Sequence, residues 1–178
     1  NYGERIFYIH DCTNVVLRRL TITAGRKYNI GGGIYMNKAK ATIDSCNIVS
    51  NYVYNYDNWG QAHGAGIYAV NSTVTLTNSF VRANRLENSP FYAYGGGIYV
   101  ENGAWTITHS VIETNKTMSW YSQPYGGGIY ISGGSHLIKN TLVLRNDSSV
   151  YADGIYANGN VQVVNCTIAD NHGYGLWR

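Results

Sequence analysis

Short segments in which apolar and polar residues alternate recur along the whole sequence, and they predict strands rather than helices. One of them covers residues 41–51, where apolar Ile43 lies between Thr42 and Asp44. Related segments lie at residues 15–25, 74–84, 105–115, 136–146 and 161–171. They are rich in Val, Ile and Thr, which favour strands, so we predict an all-β protein.

A glycine-rich motif precedes most of these segments and indicates that the chain is a repeat. The motif reads Gly-Gly-Gly-Ile-Tyr at residues 31–35, 95–99 and 126–130, with variants at 64–68 and 153–156. A single repeat cannot bury its apolar face, whereas stacked repeats bury a continuous core. Parallel strands joined by crossovers wind in the right-handed sense. The sequence therefore predicts one domain over residues 1–178, a right-handed parallel β-helix, or solenoid, of about six coils.

Aligned copies of the repeat predict which side chains face the interior. Each coil contributes one residue, nearly always aliphatic, to each of three columns that run along the axis. The columns are Leu17, Ile43, Leu76, Ile107, Ile138 and Val163; Ile22, Ile48, Val81, Ile112, Val143 and Ile168; and Phe7, Ile34, Ile67, Ile98, Ile129 and Ile155. Strands of successive coils are about 4.8 Å apart, so the members of a column should contact one another.

An asparagine closes the alternating segment in successive coils. These residues are Asn51, Asn84, Asn115, Asn146 and Asn171. Stacked asparagines can hydrogen-bond through their amides along the axis while they satisfy the backbone of a turn. We predict an internal asparagine ladder, with a polar binding row as the alternative. Cys46 and Cys166 belong to an inward column of small residues and lie about 19 Å apart at this strand spacing, so we expect them to remain unbridged.

The paired motifs of this chain resemble those of known repeat proteins. Gly-Gly-Gly-Ile and Ile-x-x-Asn are similar to the Gly-Gly-Ala-Ile and Phe-x-x-Asn repeats of polymorphic outer membrane proteins. More broadly, they resemble the right-handed parallel β-helix repeats of the pectin-lyase-like superfamily, and the resemblance covers nearly the whole chain. The polymorphic proteins are surface-exposed adhesins and autotransporter passengers, so the resemblance implies an adhesive role. The superfamily also contains polysaccharide lyases and hydrolases, so an enzyme is the main alternative.

Aromatic side chains concentrate in two parts of the predicted solenoid. The residue after the repeated apolar position predicts an outward ladder of Tyr8, Tyr35, Tyr68, Tyr99, Tyr130, Tyr156 and Trp177. We favour structural stacking for this ladder, with a surface for sugar rings as the alternative. After each ladder asparagine the chain is predicted to leave the coil in an aromatic-rich loop, and the loops should stack at one corner.

These loops combine Tyr and Trp with Ser, Asn and Gly, a composition typical of binding surfaces. The candidate ligand- or partner-binding residues are Tyr54, Tyr56, Trp59, Phe91, Tyr92, Tyr94, Trp120, Tyr121 and Tyr125. The alternative is that the loops pack on each other and shield the sheet.

Charge and candidate chemistry narrow the functional classes. Charged residues make up 13% of the chain and the formal net charge is +3, with the basic residues scattered, which argues against nucleic acid as a partner. No apolar run has the length of a membrane span. When the coils are aligned, no two acidic residues stack on an outer strand face, as a glycosidase pair or a calcium site would require. We therefore predict no catalytic residue, no metal site and no cofactor.

Three functions remain open. The first is a non-enzymatic extracellular or cell-surface adhesion or assembly module that binds a glycan or a surface protein through the aromatic loops. The second is a polysaccharide lyase or glycoside hydrolase of the pectin-lyase-like type. The third is a structural filament subunit that self-assembles head to tail. Because the sequence starts without Met and shows no polar capping repeat, we expect a fragment of a longer chain or a filament subunit.

Overall fold

The computed structural model describes residues 3–56, 60–88, 92–119, 124–149 and 152–178. Within these ranges every regular element is a strand, as the alternating pattern predicts. The described part of the chain has no helix long and apolar enough to cross a membrane.

The strands are two to five residues long, except for four strands of 10 or 11 residues that carry Tyr68, Tyr99, Tyr130 and Tyr156. They are β1 (Phe7–His10), β2 (Val15–Arg18), β3 (Thr21–Thr23), β4 (Arg26–Tyr28), β5 (Ile34–Asn37), β6 (Lys40–Asp44), β7 (Asn47–Val49), β8 (Tyr52–Asn55), β9 (Ala62–His63), β10 (Ile67–Thr77), β11 (Phe80–Arg82), β12 (Arg85–Asn88), β13 (Ala93–Tyr94), β14 (Ile98–Thr108), β15 (Val111–Glu113), β16 (Lys116–Ser119), β17 (Ile129–Lys139), β18 (Leu142–Leu144), β19 (Ile155–Val164), β20 (Thr167–Ala169) and β21 (Leu176–Trp177).

The strands of successive coils pair in parallel and form long sheets along the axis. Sheet A has nine strands, with the order β1-β5-β10-β14-β17-β19-β21 and with β2 and β6 alongside. Sheet B has six strands in the order β3-β7-β11-β15-β18-β20, and sheet C has four in the order β4-β8-β12-β16. Strands β9 and β13 make a further pair. The described strands therefore form a parallel β-helix, and the six strands of sheet B mark its six coils.

The three predicted aliphatic columns form the core. Ile43 pairs in register with Leu17 and Leu76, and the other two columns align in the same way. From the second to the fifth coil every member of the three columns is at most 1% exposed. Burial of an aliphatic side chain stabilises a fold by about 1.5–3 kcal/mol, so stacked columns supply the main favourable free energy of folding.

Each predicted alternating segment is divided between two sheets. In the segment 74–84, the chain turns at Asn78, whose φ is 49°, between β10 and β11. Ser79 lies at this corner and is 1% exposed; its hydroxyl donates to the carbonyl of Thr77 at 2.7 Å and accepts the backbone N–H of Cys46 at 3.0 Å. The inward column of small residues therefore marks a corner, because only a small side chain fits there. All three cysteines are free thiols, as expected for Cys46 and Cys166.

The prediction that the chain leaves the coil directly after each ladder asparagine is wrong for most of these segments. They first continue as the strands of sheet C, in which Val53 pairs in register with Leu86, and Leu86 with Thr117. These three side chains face inward and are 0% exposed. Val53 and Leu86 form a second, smaller core with alanines of β9 and β13. Inward packing and parallel backbone hydrogen bonds therefore hold the start of the first three predicted loops in the solenoid, while the fourth begins with an isolated parallel bridge between Asp147 and Lys116.

The asparagine ladder is confirmed and lies at the corner between sheets B and C. Asn51, Asn84, Asn115 and Asn146 are at most 1% exposed, and Asn171 is partly buried. Each side-chain amide also donates to a backbone carbonyl of the preceding coil; Asn84 Nδ2, for example, lies 3.0 Å from the oxygen of Ile48. The ladder thus satisfies both side-chain and backbone polar groups where the chain changes sheet.

Candidate functional site

The outward tyrosine ladder lies on sheet A, in the register that the repeat predicts. Its ring centroids are 4.8 to 5.3 Å apart from Tyr8 to Tyr156. The rings become nearly parallel in the middle of the stack, with an interplanar angle of 3° between Tyr68 and Tyr99. Aromatic pairs of this kind stabilise a structure by about 0.5–1.5 kcal/mol beyond their area burial, so the stack reinforces sheet A.

A second aromatic column covers the middle of this ladder. His63 of β9 contacts Tyr99 with a centroid distance of 4.4 Å, and Tyr94 of β13 contacts Tyr130 at 4.6 Å. Tyr125, which forms a parallel bridge with Tyr94, approaches the next ladder ring at 5.0 Å. The predicted site residues Tyr94 and Tyr125 therefore pack against the ladder, as the shielding alternative anticipates.

The covering column changes the chemistry of the ladder phenols. Tyr99 is only 6% exposed, whereas Tyr8, at the uncovered end, is 59% exposed. Burial, followed by the nearby carboxylate of Glu101, raises the pKa of the Tyr99 phenol well above its usual value. The same two causes raise the pKa of Tyr68 to about 12. The phenols of Tyr68 and Tyr99 therefore stay uncharged at pH values where an ordinary tyrosine, with a pKa of 10.0, loses its proton.

A different aromatic cluster, which we call the aromatic edge, lies on the outer face of sheet C and consists of Tyr28, Tyr52, Tyr54 and Tyr56. The rings of Tyr52 and Tyr54 stack with a centroid distance of 5.7 Å, and Tyr56 lies 5.6 Å from Tyr54. Tyr28 contacts Tyr54 edge-on at 5.7 Å. Strand alternation explains this surface, because Val53 points into the core and its two neighbours therefore point outward.

Charged side chains border the aromatic edge and hold it in place. The guanidinium carbon of Arg26 lies 5.4 Å from the ring centroid of Tyr52 and 5.3 Å from that of Tyr54. Glu87 accepts hydrogen bonds from the phenols of Tyr52 and Tyr56. Burial raises the pKa of Glu87, but the hydrogen bonds from Tyr52 and Arg85 outweigh it and lower the pKa below its usual value. Glu87 is therefore an ionised anchor that fixes two phenols at neutral pH.

The nine candidate residues thus fall into three groups. Tyr54 and Tyr56 belong to the aromatic edge, and Tyr56 is 53% exposed. Tyr94 and Tyr125 belong to the column that covers the ladder, and Tyr92, which is 43% exposed, stacks on Tyr94 from outside at 5.8 Å. The remaining candidates, Trp59, Phe91, Trp120 and Tyr121, lie outside the described residues.

Sequence reasoning missed Tyr28, Tyr52, Arg26 and Glu87. The signal was present, because Tyr-Val-Tyr-Asn, Arg-Leu-Glu-Asn and Lys-Thr-Met-Ser each follow a ladder asparagine and alternate as strands do.

Other chemistry is sparse in the described ranges. They contain no group of three or more His, Cys, Asp or Glu side chains that could hold a metal ion. A shallow cavity of 170 Å³ lies on the outer face of sheet A near the first coils. It is lined by Asn14, Val15, Val16, Lys40, Ala41, Thr42, Thr73 and Thr75. This lining contains one basic side chain and no carboxylate.

Comparison with protein families agrees with the architecture. The chain matches the family described as right handed beta helix region, over residues 1–146 and again over residues 32–177. A search of curated proteins and a search of solved structures each gave no significant match.

Proposed function

The chain belongs to the right-handed β-helix family, and we propose that it is a non-enzymatic adhesion or assembly module of the cell surface or the extracellular space. It would bind a glycan or a surface protein through the aromatic edge. The observation that supports this proposal is the geometry of Tyr52, Tyr54 and Tyr56, whose neighbouring rings face outward in one cluster bordered by Arg26.

The aromatic edge has the properties of a contact surface. Tyrosines give large contact areas at low entropic cost, because few torsions must be fixed on binding. Here the phenols of Tyr52 and Tyr56 are already held by Glu87 and hydrogen-bonded to each other at 3.0 Å. Such preorganisation reduces the cost of ordering side chains when a partner binds. The strands of sheet C beneath the aromatic edge also fix the backbone that carries these side chains.

The alternative is a polysaccharide lyase or a glycoside hydrolase, since the family includes both enzymes and non-enzymes. Where the partner is a glycan, the two hypotheses differ in turnover rather than in ligand. An enzyme should shorten a bound polysaccharide, whereas an adhesion module should release it unchanged.

Immobilised polysaccharides and whole-cell surface extracts provide the test. The purified chain is applied to both, and every polysaccharide that it captures is then incubated with it and examined for new reducing ends and for unsaturated products. The proposal predicts capture without product formation. Product formation that increases with protein concentration would establish the enzyme instead, and absence of capture on every surface would contradict the adhesion role.

A further inference from the structure

The outer face of sheet B is unusually apolar for an exposed sheet. Its strands are three residues long, and in each strand the middle residue faces the core, so two positions per strand face outward. The outward positions are Thr21, Thr23, Asn47, Val49, Phe80, Arg82, Val111, Glu113, Leu142, Leu144, Thr167 and Ala169. Six of these twelve are apolar, and the most exposed of the large ones, Phe80 and Leu142, are 43% and 39% exposed.

Among these twelve positions, all of which the structure describes, only Arg82 and Glu113 are charged. They occupy equivalent positions on β11 and β15, where they are paired in register. These strands are the two central strands of the six-stranded sheet. The two opposite charges therefore lie on either side of the centre of a face whose other ten outward strand positions are uncharged.

This arrangement is self-complementary under a twofold rotation. An axis parallel to the strands, midway between β11 and β15, exchanges β11 with β15 and β7 with β18. If a second copy is placed face to face by this rotation, Arg82 lies opposite the partner's Glu113 and Glu113 lies opposite the partner's Arg82. We propose that the outer face of sheet B binds a second copy of this chain through this twofold axis, as an isologous dimer.

Four of the six apolar positions meet an apolar partner under the same rotation, whereas Leu142 lies opposite the partner's Asn47 and Ala169 lies opposite the partner's Thr23. Phe80 lies opposite the partner's Val111, and Val49 lies opposite the partner's Leu144. Side chains of two sheets that pack face to face interdigitate across about 10 Å, so these pairs would be buried together. A twofold axis parallel to the solenoid axis would instead place Arg82 opposite the partner's Phe80, which would bury a charge against an apolar ring.

The present contacts of the two charges allow this pairing. Arg82 donates through Nε to Asn47 at 3.1 Å and lies 5.4 Å from the ring centroid of Phe80. Glu113 accepts a hydrogen bond from Arg145 at 2.6 Å. A guanidinium has five N–H donors and a carboxylate has about four acceptor sites, so each group can bond across the interface without losing its present partner.

The small area of the face indicates that the dimer associates weakly. Six strands at about 4.8 Å and three residues at about 3.3 Å give a flat area of roughly 290 Å². This is well below the roughly 800 Å² per partner of a standard interface. The dimer is therefore weak and concentration-dependent. It leaves the aromatic edge on sheet C uncovered, so pairing would present two edges and increase avidity for a repetitive partner.

Sedimentation velocity over a series of protein concentrations tests the proposal through charge exchange. Arg82→Glu and Glu113→Arg each place two like-charge pairs in the dimer, so each should weaken association by at least about tenfold. The two variants mixed together should associate again. In the mixed dimer the glutamate introduced by Arg82→Glu faces the arginine introduced by Glu113→Arg, and the other pair is the native one. Both variants must be folded for the mixture to associate. Association of the mixture therefore shows that each single variant fails to dimerise because of charge repulsion and not because it is unfolded.

The matched control is Lys139→Glu, which reverses an exposed charge on sheet A. It should associate like the wild-type chain. A wild-type chain that stays monomeric at every concentration would overturn the proposal. So would a dimer that persists in both single variants, or single variants that remain monomeric when mixed.

Discussion

Asn115 Oδ1 accepts two hydrogen bonds from Asn84 of the preceding coil, one from its side-chain amide at 2.9 Å and one from its backbone N–H at 3.1 Å. The side-chain amide of Asn115 donates in turn to the carbonyl of Val81 at 2.8 Å. One buried side chain thus satisfies three groups of the neighbouring coil. The same pattern recurs along the ladder, so each asparagine links two coils.

Substitution Asn115→Ala should destabilise the chain by about 3 kcal/mol, because the buried backbone N–H of Asn84 and the carbonyl of Val81 lose their bonds to this side chain. The side-chain amide of Asn84 loses one of its two hydrogen bonds and keeps the one to Ile48. Chemical denaturation monitored by circular dichroism measures the change. The control is Asn160→Ala on the exposed face of β19, where the expected change is within about 0.5 kcal/mol. Equal effects of the two substitutions would show that the ladder does not stabilise the solenoid.

Glycosylation should occur at a sequon whose asparagine is exposed and not at one whose asparagine is buried. Asn71-Ser72-Thr73 begins at an exposed asparagine, whereas Asn115-Lys116-Thr117 begins at a ladder residue that is 0% exposed. When the chain is secreted from a glycosylating host, mass spectrometry of the folded product should find sugar on Asn71 and none on Asn115. Sugar on Asn115 in folded protein would contradict the inward orientation of the ladder.

High pH should destabilise the fold through the tyrosine ladder. Burial and Glu101 raise the pKa of Tyr68 to about 12, while an unfolded tyrosine has a value of 10.0. The stabilisation from the neutral phenols is therefore complete below pH 10 and is lost as the pH rises towards 12. The free energy of unfolding should fall less steeply above pH 10 in Tyr99→Phe than in the wild type. Equal slopes above pH 10 in Tyr99→Phe and the wild type would exclude the buried phenol as the source of the loss.

Low pH should destabilise the fold through His63. Burial lowers the pKa of His63 to about 4 from 6.5, and its Nδ1 has no hydrogen-bond partner among the described residues. The neutral ring is therefore favoured in the folded state, and its stabilisation, present above pH 6.5, is lost as the pH falls towards 4. The full shift corresponds to about 3 kcal/mol. Denaturation of His63→Phe should show a smaller loss than the wild type over this range; an identical loss would exclude His63 as its source.

The core and both ladders could be predicted from the sequence because each depends on one residue type at one repeat position. Ile43, for example, has an aliphatic counterpart in every coil, and parallel in-register stacking then fixes its neighbours. The corner at Ser79 was harder to predict, because alternation continues through it. The alternation of apolar and polar residues does not show that the residues before and after this corner belong to different sheets.

Sheet C was not predicted because Tyr52 and Tyr54 were interpreted by composition rather than by alternation. Their aromatic rings suggested a binding loop, while the inward Val53 between them indicates a strand. The number of residues per coil also varies. Strands β9 and β13, which carry His63 and Tyr94, therefore do not lie at a constant sequence separation from the preceding ladder asparagine. Their packing on the tyrosine ladder depends on the three-dimensional path of the excursions.

The affinity of a captured glycan or surface protein for edge variants is the most direct test of the proposed function. Tyr54→Ala and Tyr56→Ala should each weaken binding by about 1–4 kcal/mol, as loss of an aromatic anchor does. Tyr8→Ala, which removes an exposed tyrosine from another face, should bind like the wild type. Unchanged affinity in both edge variants, or an equal loss in Tyr8→Ala, would contradict the assignment of binding to the aromatic edge.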